Sequence, residues 1–199
     1  MSRLRTLLLL SVACLASACD ETDATALRIQ VESDFSGTVR ASTLAVPADA
    51  APFQQASTGV QWESRVDVVA VSGTFASLSE LSLADVSVHG GQSDDGLQFL
   101  RISLPRGEAA RWPKLFVPLS NDERVRAARA LDPSGRSKDV GATIKIEVVL
   151  PEAVIGNGLA GRARGARAKN EGEVATLTVP YDIATTSGDP IVWHLTWQR

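Results

Sequence analysis

The stretch ATIKIEVVL, Ala142 to Leu150, decides the fold. Ala142, Ile144, Ile146, Val148 and Leu150 alternate with Thr143, Lys145 and Glu147. Successive side chains of a strand point to opposite faces, so this alternation describes a strand with one buried and one wet face. The same period recurs at Leu27-Arg28-Ile29-Gln30-Val31-Glu32 and again from Val60 to Val68, where Val60, Trp62, Val66 and Val68 oppose Gln61, Glu63, Arg65 and Asp67. That run is expected to continue through Val71 and turn at Ser72-Gly73. Val86–His89 and Leu97–Leu104 read as strands around a turn from Gly90 to Gly96, and Val174–Val179 as another. Ile191 to Trp197 closes the series, with Ile191, Trp193, Leu195 and Trp197 on one face, apolar enough to be held inside a sheet. Near the start, Asp34-Phe35-Ser36-Gly37 reads as a hairpin turn into Thr38–Val46, with Gly37 free to take positive φ.

Two helix starts interrupt the strands. Ser77-Leu78-Ser79-Glu80 and Ser120-Asn121-Asp122-Glu123 both match a capping box, in which each side chain satisfies an orphan donor at the helix end. The first predicts a short helix over Leu78–Asp85. The second is followed by Val125, Ala128 and Leu131 at helical spacing, and Asp132-Pro133-Ser134-Gly135 ends it. Runs of strands with two short, separated helices imply an α+β fold with a large, mostly antiparallel sheet. No internal repeat is visible, and one domain over residues 27–199 is expected.

The amino terminus supplies an address. Arg3 and Arg5 precede the apolar run Thr6–Ala16, and small residues follow up to Cys19. That order describes a secretory signal peptide, Met1–Ala18, too short in its apolar part for a bilayer span of roughly 20 residues. Leu15-Ala16-Ser17-Ala18-Cys19 has the form of a bacterial lipobox. It predicts cleavage before Cys19, lipidation of its sulfur with palmitate-type chains, and a membrane-anchored lipoprotein of the cell envelope. Residues 19–26 then form the lipidated cysteine and a polar tether. Each buried methylene of an acyl chain contributes about 0.8 kcal/mol, and stable anchoring takes more than one chain. Asp20 resembles the inner-membrane retention signal of enteric bacteria, but this does not decide between inner and outer membrane.

Composition excludes several functions. Cys14 leaves with the leader and Cys19 carries lipid, so the mature domain has no thiol for a disulfide, metal site or nucleophile. The whole chain has 20 basic and 23 acidic residues, and losing Arg3 and Arg5 makes the mature chain more acidic still, which argues against nucleic acid as a partner. His89 and His194 are the only histidines and lack paired metal-ligand spacing, so both read as structural. Asp94-Asp95 lacks the ligand order of an EF-hand and reads as a solvated turn. Gly91-Gln92-Ser93-Asp94-Asp95 fails the nucleophile-elbow pattern at its last position, and no phosphate loop or dinucleotide fingerprint appears. The expectation is a non-enzyme without cofactor or metal.

Gly156 to Asn170 is glycine-rich and basic in an otherwise acidic chain. Arg162, Arg164, Arg167 and Lys169 fall within it. Charge runs are usually solvated loops. On a membrane-tethered protein the same four are candidate contacts for anionic headgroups, each worth about 1 kcal/mol near the surface. Among the aromatics, Trp62, Trp193 and Trp197 lie on apolar strand faces, whereas Trp112-Pro113 has a loop-like context and is expected to be exposed.

The lipobox with the strand Leu27–Glu32 and Ser36-Gly37, and the strand Ile144–Leu150 running into Pro151-Glu152-Ala153-Val154-Ile155-Gly156-Asn157-Gly158 before a late strand bearing Trp193, resemble the LppM-like group of bacterial lipoproteins. The chain departs from that group in its long basic insert and in ending at Arg199 without a carboxy-terminal membrane helix. The resemblance implies an α+β fold and binding of lipid or glycolipid. The resulting expectation is a non-catalytic envelope lipoprotein that binds a lipid or other apolar ligand. The alternative is a protein–protein interaction module in an envelope assembly, displaying an apolar patch or an edge strand.

Overall fold

The computed structural model describes residues 26–43, 50–51, 55–57, 69–116, 142–161 and 164–198. The chain is α+β, dominated by strands. In order these are β1 (Ala26–Val31), β2 (Gly37–Thr43), β3 (Ala50–Ala51), β4 (Gln55–Ser57), β5 (Val69–Phe75), β6 (Ser82–Leu83), β7 (Ser87–Gln92) and β8 (Gln98–Leu104). The short helix α1 (Trp112–Phe116) follows, then β9 (Thr143–Val149), β10 (Val154–Ala160), β11 (Arg167–Glu171), β12 (Val174–Pro180), the second short helix α2 (Tyr181–Thr185) and β13 (Ile191–Trp197).

A seven-stranded sheet has the order β11-β12-β9-β1-β2-β5-β4, and a four-stranded sheet the order β10-β13-β8-β7. Within both, neighbours are antiparallel except β1 and β9, which run parallel with Leu27 opposite Ile146. Each sheet buries one face. Leu27, Ile29, Val31, Ile144, Ile146, Val148 and Leu177 of the larger sheet join Leu100, Ile102, Leu104, Ile191, Trp193, Leu195 and Trp197 of the smaller in a single cluster. Full burial of such side chains stabilises by about 1.5–3 kcal/mol each, so the shared core is what holds the two sheets face to face. The strand Ile191–Trp197 lies between β10 and β8, inside its sheet.

Where the sheets meet along β10 and β11, the contact is polar. The Trp193 indole N–H donates to Asn157 Oδ1 at 2.8 Å, and Asn157 Nδ2 donates to Asn170 Oδ1 at 3.2 Å. Asn157 belongs to the small sheet and Asn170 to the large one, so this relay pins their edges together.

Several local expectations change. The helix predicted over Leu78–Asp85 is a three-residue 3-10 turn, Leu78–Glu80, and β6 begins at Ser82. Its capping box is not formed: Ser77 makes no capping bond, and Glu80 accepts instead from the Ala76 N–H, one residue before the cap, at 2.9 Å. The helix predicted after Ser120 and the alternating run Val60–Val68 lie outside the described residues. β5 does not turn at Ser72-Gly73 but runs through to Phe75, because β2 offers it a partner along its whole length, up to Gly37 opposite Phe75.

Trp112 is the clearest reversal. It is fully buried, on a helix that spacing did not signal. Its indole N–H donates to the Pro105 carbonyl at 2.8 Å, which removes the cost of burying a donor. The Asp85 carboxylate accepts from the backbone N–H of Arg111 at 2.8 Å and of Trp112 at 2.9 Å, supplying a cap from 26 and 27 residues away.

Candidate functional site

A groove of about 570 Å³ opens at one edge of the small sheet. Phe35, Leu78, Leu81, Val86 and Val88 give it apolar walls, and Ser77, Ser79, Ser87 and His89 a polar rim. It follows β7, the edge strand of the four-stranded sheet. Gly90 lies on its floor. A Cβ there would collide with Leu78 Cδ1 and come within 3.0 Å of the Phe35 ring. Gly90 and Gly91 were expected in a turn, but both lie inside β7. Glycine inside a strand marks the close approach of another group, and here that group is the wall of the groove.

Phe35 has φ of 65°, a left-handed conformation that is costly for a bulky residue. The turn enforces it. Phe35 N donates to Glu32 O at 3.0 Å, Glu32 N to Ser36 O at 2.8 Å, and Asp34 Oδ1 accepts from both the Ser36 N–H at 3.0 Å and its hydroxyl at 2.6 Å. The Ser36 hydroxyl above all, then its N–H, holds the Asp34 carboxyl below its usual 3.8. Gly37, expected to supply the positive φ, is instead extended in β2, and a Cβ there would strike the Gln30 carbonyl oxygen. The strain is offset by packing. The Phe35 ring meets Trp197 edge-on, centroids 6.0 Å apart.

Behind Phe35 lies an unusual pair. Gln98 and Trp197 face each other across β8 and β13, and both are buried. Among the described residues, Gln98 Oε1 and Trp197 Nε1 have no hydrogen-bond partner. One is an acceptor and the other a donor. A buried polar atom left unpaired costs roughly 1–3 kcal/mol.

The basic residues singled out from the sequence are only partly in a loop. Arg162 lies outside the described residues. Arg164 forms an isolated bridge with Ala166, and both Arg167 and Lys169 lie in β11, exposed on an edge strand. Gly156 to Ala160 is strand as well. His89 and His194 are exposed rather than interior, on the outer face of the small sheet with Arg101 directly between them. Among the described residues no group of three potential metal ligands gathers, and no helix is long and apolar enough to cross a membrane. Asp95 is held below its usual 3.8 chiefly by the Ser93 hydroxyl in its exposed turn.

No family model, curated protein or solved structure matches this chain.

Proposed function

We propose that the protein is a non-catalytic, lipid-anchored envelope lipoprotein, held in the membrane through Cys19, whose groove along β7 takes a lipid or other amphiphilic envelope molecule. The observation that carries the reading is the groove itself. Its volume falls within the range of about 300–1,000 Å³ usual for small-molecule sites, and it pairs apolar walls with a sparse hydroxyl rim. Phe35, strained and in contact with both Gly90 and Trp197, stands between the groove and the unpaired Gln98–Trp197 atoms. A ligand hydroxyl that passed Phe35 would donate to one and accept from the other.

The test is native mass spectrometry of Asp20–Arg199, purified without detergent, followed by solvent extraction. This segment contains every described residue and lacks Cys19, so an anchor is not mistaken for cargo. A bound amphiphile is the expected result. A bare protein that gains no thermal stability from any envelope lipid overturns it.

A second reading, an interaction module, draws on the same edge. A groove beside β7, an edge strand among the described residues, also suits an extended peptide that adds to the sheet. Ile155, 57% exposed on the opposite edge strand β10, adds an apolar contact point. A co-purifying protein in place of a lipid would favour this reading.

A further inference from the structure

The outer face of the large sheet carries a charge pattern that spacing along the chain does not reveal. Directly opposed residues on neighbouring strands share a face. Following the register from edge to centre, Lys169 opposes Thr176, Thr176 opposes Glu147, Glu147 opposes Arg28, and Arg28 opposes Arg40. The next row toward the start of β1 holds Arg167, Thr178, Lys145 and Ala26. The row on the other side, toward the end of β1, holds Glu171, Val174, Val149, Gln30 and Thr38. Among the described residues, five cations therefore occupy the half of the face nearest the start of β1, and Glu147 is the only acid among them. Glu147 is bound by Arg28 at 3.5 Å and Lys145 at 3.1 Å. The remaining acids, Glu171 in β11 and Glu32 and Glu173 in the adjoining turns, collect at the far end. This cationic half belongs to a chain whose formal net charge is −3.

We infer that this half-face is a contact surface for the anionic phospholipid headgroups of the bilayer that carries the anchor. The inference rests on the lipid-anchor reading for its geometry. Cys19 is separated from Ala26 by six residues, which reach at most roughly 25 Å. β1 begins at Ala26, in the same row as Lys145 and Arg167. The tether thus joins the sheet at its basic end, with the acidic end about 17–20 Å further along β1. Arg28, Arg40, Arg167 and Lys169 are exposed, Lys145 and Glu147 are half-buried between them, and Thr176 at the centre of the row is buried. A positively charged sheet face complements a negatively charged surface. Arg167 and Lys169, two apart on one face of β11, join Arg28 and Arg40 from elements far apart in the chain.

The test uses Asp20–Arg199 without an anchor, so it does not depend on lipidation. The chain is sedimented with vesicles of phosphatidylcholine containing phosphatidylglycerol, and with vesicles of phosphatidylcholine alone. Binding to the anionic vesicles only, weakening as salt rises, is expected. Arg40→Ser alone should weaken it about fivefold, and Arg40→Ser/Arg167→Ser/Lys169→Ser about a hundredfold. Arg101→Ser, which removes a cation from the other sheet, should leave binding within about twofold of the parent. All these positions are exposed, and circular dichroism with thermal unfolding verifies each fold. Equal binding to both vesicle types, no binding to either, or equal losses in Arg101→Ser and Arg40→Ser would each overturn the inference. A bare result here leaves the groove reading standing, and an empty groove leaves this surface standing, so the two fail separately.

Discussion

Replacing Asp85 by alanine should destabilise the fold far more than an exposed aspartate normally does. Its two carboxylate oxygens accept separate backbone N–H groups, Arg111 at 2.8 Å and Trp112 at 2.9 Å, at the start of α1. Hydrogen bonds to a charged group contribute about 1.5–3 kcal/mol each. The Arg111 bond faces solvent and belongs at or below the lower end of that range. The Trp112 bond is partly buried, and its loss leaves a donor without a partner beside a fully buried indole. Together they amount to about 3 kcal/mol. Asp85→Asn keeps an acceptor oxygen and should lose about half of that. For a chain of this size each kcal/mol moves the melting temperature by about 2–4 °C, so Asp85→Ala should fall by about 6–12 °C. Urea unfolding followed by circular dichroism reads the effect as a lower midpoint at unchanged slope. Asp94→Ala, in an exposed turn, serves as the control and should stay within about 0.5 kcal/mol of the parent. Were Asp85→Ala to match Asp94→Ala, the remote cap would contribute nothing and the burial of Trp112 would need another cause.

Four further outcomes are expected. Trp193→Phe and Asn157→Ala should each destabilise, Trp193→Phe by about 2–4 kcal/mol through lost packing and a lost bond, and a double-mutant cycle should return about 1 kcal/mol of coupling; strict additivity would dissolve the Trp193–Asn157–Asn170 relay. Gln98→Leu removes an unpaired buried acceptor and should raise the stability of the ligand-free chain by about 1 kcal/mol while weakening retention of an amphiphile; a net loss of stability would mean Gln98 is better satisfied than its surroundings indicate. Gly90→Val fills the floor of the groove against Leu78 and Phe35 and should abolish ligand retention at a folding cost of about 1–3 kcal/mol, which thermal unfolding separates from simple misfolding. Ser36→Ala should let the Asp34 carboxyl rise toward 3.8, as carbon-detected NMR titration would show. Since the folded value is depressed, the stability this group contributes is present above its unfolded value and fades as pH falls through the folded one, so the Ser36→Ala difference should vanish in strong acid.

Alternation made the strands legible because one wet face leaves a period of two in the sequence. Ile144, Ile146 and Val148 face inward as their spacing requires, and so do Ile191, Trp193, Leu195 and Trp197. What period two cannot carry is partnership. The parallel pairing of β1 with β9 joins segments more than a hundred residues apart, and no local signal marks it. The short helices failed for a related reason. A five-residue helix has almost no internal hydrogen bonding, so it persists only where tertiary contacts hold it. α1 depends on Asp85 and on a bond to Pro105, and α2 on the Tyr181 N–H reaching the Ala142 carbonyl at 2.8 Å. Conversely, the capping-box pattern at Ser77 is a local signal that the fold does not realise: Ser77 makes no capping bond, and the chain passes into β6 at Ser82 after one 3-10 turn.

The candidate sites show the same division between local and assembled features. Gly90-Gly91 reads as the start of a turn in the sequence, and only its place inside β7 makes it a signal for the groove, since a missing Cβ inside a sheet implies that something approaches closely. The identity of what approaches, Leu78 and Phe35, comes from two other segments. The basic run was legible as composition, yet its chemical context was not. Arg167 and Lys169 acquire the company of Arg28, Arg40 and Lys145 only through three successive strand registers, β11 with β12, β12 with β9, and β9 with β1, and a fourth that adds β2. A slip of one residue in any of these would turn the affected cations onto the core face, where an unpaired charge is prohibitively costly. The burial of Leu27, Ile146 and Leu177 on the inner face therefore fixes the positions of Arg28, Lys145 and Lys169 on the outer one, and the same packing that makes the domain stable assembles its charged surface.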